Sequence, residues 1–281
     1  MTHSTPLPAA PPVPDAPQRI ACLSTEAVEV LYRLGAQDRV AGISGYSVHP
    51  PEARAEKPKI SGFSSMKLER ILAVQPDLVI GFSDLQKPLL AECEAAGLPT
   101  LWFDQRNIAG IHAMVRRLAA LVQREAEGEQ LCAHLVAQEQ RLAEEAAALP
   151  WRPRVFFEEW DEPLICGIGW VSEIIELCGG HDVFADRARA GFAKQRIVSH
   201  DEVLAREPQL ILGSWCGKKF VPEKVLARPG FDGLGARLAE IKSADILAPG
   251  LAALERGAPQ VLAAIRSTVL QQTPSKHPTI S

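Results

Sequence analysis

Two stretches of this chain, 132 residues apart, repeat one pattern, and the repeat limits the fold more than any other feature. Aligning Pro76 with Pro208 sets ERILAVQPDLVIGFSD (69–84) against DEVLAREPQLILGSWC (201–216), with Leu, Ala, Pro, Leu and Gly identical at a constant offset. Each copy reads as a short helix, a strand that starts just after a proline, and a glycine at the strand's carboxyl end. A second match, at an offset of 144, pairs Glu29–Asp38 with Glu173–Asp182, again a helix closed by glycine ahead of a strand. Element order agrees in both matches, so the chain reads as a duplicated unit.

Around these copies strands and helices alternate with short links. Arg19–Leu23 reads as a buried strand, Glu26–Leu34 as an amphipathic helix closed by Gly35, and Asp38–Ile43 as a second strand. Gly45–Pro51 is a loop, Lys59–Ile60 a short extended piece, Leu68–Val74 a helix, Leu78–Ile80 a strand, Pro88–Ala96 a helix and Thr100–Phe103 a strand. From Ile108 to Leu149 the pattern becomes helical, with a break near Glu125–Gly128. The second helix, of about 22 residues, would span roughly 33 Å. Pro150 and Pro153 stop it, and alternation resumes at Arg154. The predicted architecture is α/β: two Rossmann-like lobes with mainly parallel sheets, joined by one long α-helix, with a ligand cleft between the lobes. The predicted boundaries are a disordered leader at 1–18, a first lobe at 19–107, a helical connector at 108–150, a second lobe at 151–268 and a flexible tail at 269–281.

Composition excludes several partners. A net charge of −4 with no Lys/Arg-rich run leaves no footprint for nucleic acid or an anionic membrane surface. Six prolines in the first seventeen residues argue against an ordered start, and no basic, apolar and small-residue sequence of an export signal follows them. No apolar run approaches the roughly 20 residues of a membrane span. As it stands, the sequence predicts a soluble cytoplasmic monomer. The six cysteines lack any C-x-x-C spacing and read as buried, reduced thiols.

In open parallel sheets the ligand crevice lies outside the carboxyl ends of the strands. The residues there include Tyr46 and His49, Phe63, Phe82, Glu158, Trp160, Asp161 and Trp215, an aromatic-rich set in a chain that is only 6% aromatic. The densest stretch is FFEEWDEPLICGIGWVSE (156–173), which opens as a strand, turns through Asp161, Glu162 and Pro163, and reaches a helix after Trp170. Strand alternation puts Glu158 and Trp160 on one face and Phe157 and Glu159 on the other, so the adjacent glutamates are not a catalytic pair.

RIACLSTEAVEVLYRLGAQDRVAGISGYSVHPPEA, MKLERILAVQPDLVIGF, the long helix, ELCGG and VLAREPQLIL together resemble the substrate-binding proteins of vitamin B12, haem and siderophore ABC importers, over about residues 19–266. Within this class III, helical-backbone superfamily, the likeness is strongest to the cobalamin-binding type. It implies a flat macrocycle between two lobes, no required cofactor, periplasmic location, and a permease dimer that docks on one acid per lobe. Those acids correspond to Glu69 and to Asp201, with Glu202 beside it. A corrin is an apolar plate rimmed with amides, which Phe63, Phe82, Trp160, Trp170 and Trp215 can face with flat walls and Tyr46, Glu158 and Asp161 with polar groups. In the cobalamin binders an aromatic precedes the double proline and tryptophans stand at the places of Phe63 and Phe82; here the first position is His49. A neutral imidazole there can reach cobalt or haem iron axially, or can simply bond to solvent or a ligand edge.

Four alternatives stay open, one of which keeps the fold and changes the role to a soluble cytoplasmic corrinoid carrier or sensor without a permease. A metal site would draw on His49, Glu158, Glu159, Asp161, His181 and His200, none at a preorganised spacing. A ferric siderophore would use Arg106, Lys194, Arg196, Lys218 and Lys219, against repulsion from the acids of 158–162. An α/β enzyme would use Glu158 and Cys216, whose thiol Lys218 and Lys219 could activate, although no nucleophile-elbow or phosphate-loop motif is present.

Overall fold

A computed structural model describes residues 11–272. The chain divides into two compact units, one holding the residues through Gln105 together with Ala109–His134, the other Arg106–Ile108 together with the residues from Leu135 on. Both carry parallel sheets, so the α/β reading with two lobes is the observed architecture.

In the first unit β1 (Ile20–Cys22), β2 (Val40–Ser44), β3 (Lys59–Ser61), β4 (Leu78–Phe82) and β5 (Thr100–Phe103) form one parallel sheet in the order β3-β2-β1-β4-β5. The central strands are buried throughout, as a sheet covered on both faces requires. Around it lie α1 (Thr25–Arg33), α2 (Pro51–Glu56), α3 (Leu68–Ala73) and α4 (Ser83–Ala95). Ala27, Val28, Val30 and Leu31 form the buried stripe of α1. The sequence placed the start of α4 at Pro88, but the helix begins five residues earlier, directly at the end of β4. Asp38 belongs to a single 3-10 turn, so β2 starts at Val40. Then α5 (Ile108–Leu121) and α6 (Glu125–Ala147) follow, the latter 23 residues and about 34 Å long, with the unit boundary inside it between His134 and Leu135.

The second unit is built on β6 (Arg154–Asp161), which pairs in parallel with β9 (Leu210–Gly213), and β9 with β10 (Arg237–Glu240). The other edge of β6 is shared: its first residues pair in parallel with β8 (His181–Asp182), its last with β7 (Leu164–Cys166) in an antiparallel hairpin that the sequence reading missed. Val155, Phe156, Phe157 and Glu158 are all buried, and the pairing with β7 slips between Glu158 and Trp160. The slip breaks the simple face alternation expected there. The helices are α7 (Gly169–Leu177), α8 (Ala185–Ala188), α9 (His200–Ala205), α10 (Pro222–Leu226), α11 (Ser243–Ile246) and α12 (Ala258–Gln272). Because α12 runs to Gln272, residues 269–272 are helical and not tail; the rest of that tail, like residues 1–10 of the leader, lies outside the described residues. The last residue of the leader, Gln18, donates its amide to the Asp77 carboxylate at 2.7 Å, as does Arg19 after it at 2.9 Å.

The duplication is visible atom by atom. Helices α3 and α9 occupy positions that differ by 132 at both ends. The residues before the two prolines, Gln75 and Glu207, share a left-handed φ of 46° and 43°. In both units an arginine at the head of the central strand closes this turn: Arg19 Nε donates to the Gln75 carbonyl at 3.0 Å, and Arg154 Nε to that of Glu207 at 2.8 Å. Gly35 and Gly179, 144 apart, both end their helices with positive φ, of 69° and 80°. At Gly213 a side chain is excluded outright, since an added Cβ would lie 2.0 Å from the Phe220 ring.

Candidate functional site

The first unit presents its candidates where β2, β3 and β4 end. The β2 loop is held by Arg54, whose Nη1 donates to the Gly45 carbonyl at 2.8 Å and to that of Ser47 at 3.3 Å. This leaves Tyr46 61% exposed and Val48 exposed, with His49 half-buried ahead of a cis peptide to Pro50. After β3, Gly62 and Ser65 close a turn that leaves Phe63 41% exposed. Leu85, at the start of α4, is exposed as well. Large apolar side chains left in water at consecutive strand ends mark a contact surface. Phe82, by contrast, is buried.

One residue ties the ends of β3 and β4 to that of β1, and the sequence reading passed over it. Gln86 is fully buried; its Oε1 accepts from the Phe82 amide at 2.9 Å, and its Nε2 donates to the carbonyls of Phe63 at 2.8 Å and Leu23 at 3.2 Å. Ser83-Asp84-Leu85-Gln86 has capping-box spacing, but no such box forms: the helix is capped at Phe82, and Gln86 reaches the Phe82 amide instead. Ser83 turns the strand into the helix with φ 62°, a left-handed conformation rare outside glycine. Its buried hydroxyl has no hydrogen-bond partner among the described residues.

Glu26, in the first turn after β1, was also missed. Burial raises its carboxyl pKa to about 7, with Glu29 adding to the rise, while hydrogen bonds from its own amide and from Ser24 oppose it. Its Oε2 has no partner among the described residues.

In the second unit every acid of the β6 end is matched with a cation. Glu158 accepts from Arg228 Nη1 and Nη2, each at 2.7 Å, and from Trp215 Nε1 at 2.8 Å. Glu159 takes both terminal nitrogens of buried Arg196 at 2.6 and 3.0 Å. Asp161 pairs with Lys218. Burial works to raise the Asp161 pKa, but the Lys218 hydrogen bond, its own backbone amide and the charges of Lys218 and Arg228 outweigh it and hold the carboxyl below its usual value. Lys218 Nζ also sits 4.0 Å from the Trp160 ring centroid and 5.1 Å from that of Trp215.

These placements correct several expectations. Glu158, Trp170 and Trp215 are 0%, 3% and 2% exposed, and Trp170 Nε1 donates to the Ile246 carbonyl at 2.8 Å; all three are interior residues with their polar atoms engaged. Trp160 and Asp161 remain partly accessible. Of the acids of 158–162 expected to repel an anion, Glu158, Glu159 and Asp161 are each paired with a cation while Glu162 is exposed; by the same pairing, Arg196 and Lys218 are committed cations. Of the other basic candidates, Arg106 Nη1 donates to the Gly191 carbonyl, Lys194 lies over Phe192, and Lys219 is exposed. The Cys216 thiol is not activated: although the residue is exposed, desolvation and then the charge of Glu159 push its pKa up. Among the described residues no group of three or more His, Cys, Asp or Glu side chains can hold a metal; His181 faces Glu176 and His200 stands edge-on to Phe231.

Glu69 and Asp201 are exposed at matching places of α3 and α9. Glu202 is occupied otherwise. It forms a reciprocal cap with Ser199 and pairs with Arg187, and the Ser199 amide leads the interactions that lower its pKa.

The periplasmic binding protein pattern matches residues 20–237. The chain belongs to the periplasmic binding protein family. The family consists of substrate-binding proteins and is periplasmic. A vitamin B12-binding protein of Vibrio campbellii is 29% identical over 200 residues, 70% of this chain and 70% of that protein. One of Pectobacterium atrosepticum is 27% identical over 221 residues, 76% and 77% of the two chains. Among solved structures, the periplasmic vitamin B12 binding protein of Vibrio cholerae matches with a TM-score of 0.73 at 23% identity, over 92% of this chain and all of that one. A periplasmic heme-binding protein from Pseudomonas aeruginosa matches with 0.77 at 19%, over 89% and 93%. The structural likenesses are of fold. No helix among the described residues is long and apolar enough to cross a membrane.

Proposed function

We propose that the chain is the substrate-binding component of an ABC importer and carries a corrinoid. It works in the periplasm, without catalysis of its own, and docks on its permease through Glu69 and Asp201. The observation that carries the reading is the exposure of Tyr46, Val48, Phe63 and Leu85 at successive strand ends of the first unit. A flat apolar ligand would cover them, and the partly accessible Trp160 ring is a further candidate contact. The internal charge pairing of Glu158, Glu159 and Asp161 supports a ligand of low net charge, as an amide-rimmed corrin is.

Haem is the second reading. It is favoured by one loop presenting both the exposed phenol of Tyr46 and the half-buried imidazole of His49, two side-chain types that ligate haem iron.

Titration of the purified protein with cobalamin, cobinamide and haemin, followed by visible absorbance and calorimetric heat, separates these. Saturable cobalamin or cobinamide binding supports the first, and saturable haemin binding alone the second. No saturable binding of any of the three overturns both. His49→Ala or Tyr46→Phe shifts the visible spectrum of the bound ligand only where that side chain reaches the metal.

A further inference from the structure

We infer that Gln86 is a positioning residue, which sets the aromatic contact surface of the first unit for its ligand; the inference rests on the macrocycle reading above. One fully buried carboxamide bonds three separate backbone segments: the end of β1 at Leu23, the end of β4 at Phe82 and the turn after β3 at Phe63. Its partners fix its orientation, since an amide N–H needs the oxygen and two carbonyls need the nitrogen. Every bond runs to main chain, so the side chain reads no sequence and fixes only position.

Phe63 owes little else to packing. It is 41% exposed, and its loop is also held by the Gly62–Ser65 turn, the Ser61–Met66 bridge, the Gly45 amide on the Ser61 carbonyl at 2.8 Å and the Ser44 hydroxyl on the Gly62 carbonyl at 3.4 Å. The Gln86 bond is made to the Phe63 carbonyl itself and so fixes the main chain that carries the ring. The left-handed turn at Ser83 is what lets α4 start at once and bring Gln86 back over the strand end. A ring held in place before the ligand arrives loses less freedom on binding, which is how preorganisation strengthens a site.

Gln86→Met keeps the length and bulk of the side chain and removes all three bonds. Amide hydrogen exchange on the ligand-free variant is expected to quicken about tenfold or more at residues 62–66 and at Phe82, with β6 and β9 unchanged. Affinity for the macrocycle that the wild type binds is expected to fall about tenfold. The Gln86→Met/Phe63→Ala double variant should bind about as weakly as Phe63→Ala alone, because the glutamine acts through the ring. If Gln86→Met does not fold, Gln86→Asn keeps an uncharged carboxamide that is one methylene too short to reach all three partners, and is read in the same way. Unchanged exchange at 62–66 overturns the inference whatever the ligand. Additive losses in the double variant overturn it too, since they mark a merely structural residue. If the wild type binds no macrocycle, the macrocycle reading falls, and the exchange measurement alone decides whether Gln86 sets the loop.

Discussion

Arg228 lays both terminal nitrogens on the two carboxylate oxygens of Glu158, each at 2.7 Å, with the carboxylate side chain 0% and the guanidinium side chain 10% exposed. Trp215 completes the carboxylate's partners from the end of β9. A buried pair of this kind is costly to half-remove, because the survivor keeps its charge and loses its partner. Glu158→Ala is expected to destabilise the fold by about 3 to 5 kcal/mol. Urea unfolding followed by tryptophan fluorescence measures it, and a loss under about 1 kcal/mol would return Glu158 to the candidates for ligand contact.

Glu26 makes stability depend on pH. Its folded pKa is about 7 against an ordinary 4.5, so between these values the folded chain holds a proton that the unfolded chain has released. The stabilising effect of that proton is full below pH 4.5 and is lost as pH rises through 7. Glu26→Gln cannot ionise. Its stability relative to wild type is therefore expected to improve from pH 5 to pH 8, by on the order of 3 kcal/mol at most. Parallel denaturant titrations at the two pH values check this, and the same change in unfolding free energy between them for both proteins would mean that Glu26 ionises normally.

What could be read in advance followed from local rules. Hydrophobic runs, helix-ending glycines and the proline-led repeat located the alternating elements, because each reflects the backbone preference of one short segment. The left-handed pair Gln75 and Glu207 shows how far this went: the prolines after them marked the turn, though not its handedness. What escaped depends on contacts between distant residues. Glu158, Glu159 and Asp161 looked like exposed acids until Arg228, Arg196 and Lys218, between 37 and 70 positions away, came to meet them. Trp170 and Trp215 looked like walls because aromatic content cannot distinguish a core indole from a cleft indole; the carbonyl of Ile246 and the carboxylate of Glu158 make the distinction.

That distinction can be tested on two of the second unit's four tryptophans. Trp160 is partly accessible, donates to the Glu162 carbonyl at 2.8 Å and carries Lys218 over its ring. Trp160→Ala is expected to weaken ligand binding by about 1 to 3 kcal/mol with little change in stability. Trp215→Phe is expected to do the reverse, costing about 1 to 3 kcal/mol of stability by stripping Glu158 of a buried donor. Calorimetric titration and thermal unfolding on the same preparations compare the two, and an unchanged affinity for Trp160→Ala removes that ring from the site.

The two matched acids lend themselves to a separation of binding from docking. Glu69 and Asp201 are exposed and stand in the first turns of equivalent helices, whereas Glu202 is spent on capping α9 and on Arg187. As helix-start acids alone they would contribute only about 0.3 to 1 kcal/mol each to stability. If they serve a permease, Glu69→Ala and Asp201→Ala should leave ligand affinity and thermal stability nearly unchanged while abolishing stimulation of the transporter's ATPase in proteoliposomes. Glu202→Ala should show the opposite pattern, a stability loss of about 1 kcal/mol from the broken cap with docking retained. Full stimulation by the Glu69→Ala/Asp201→Ala double variant would reduce both acids to ordinary helix-start residues.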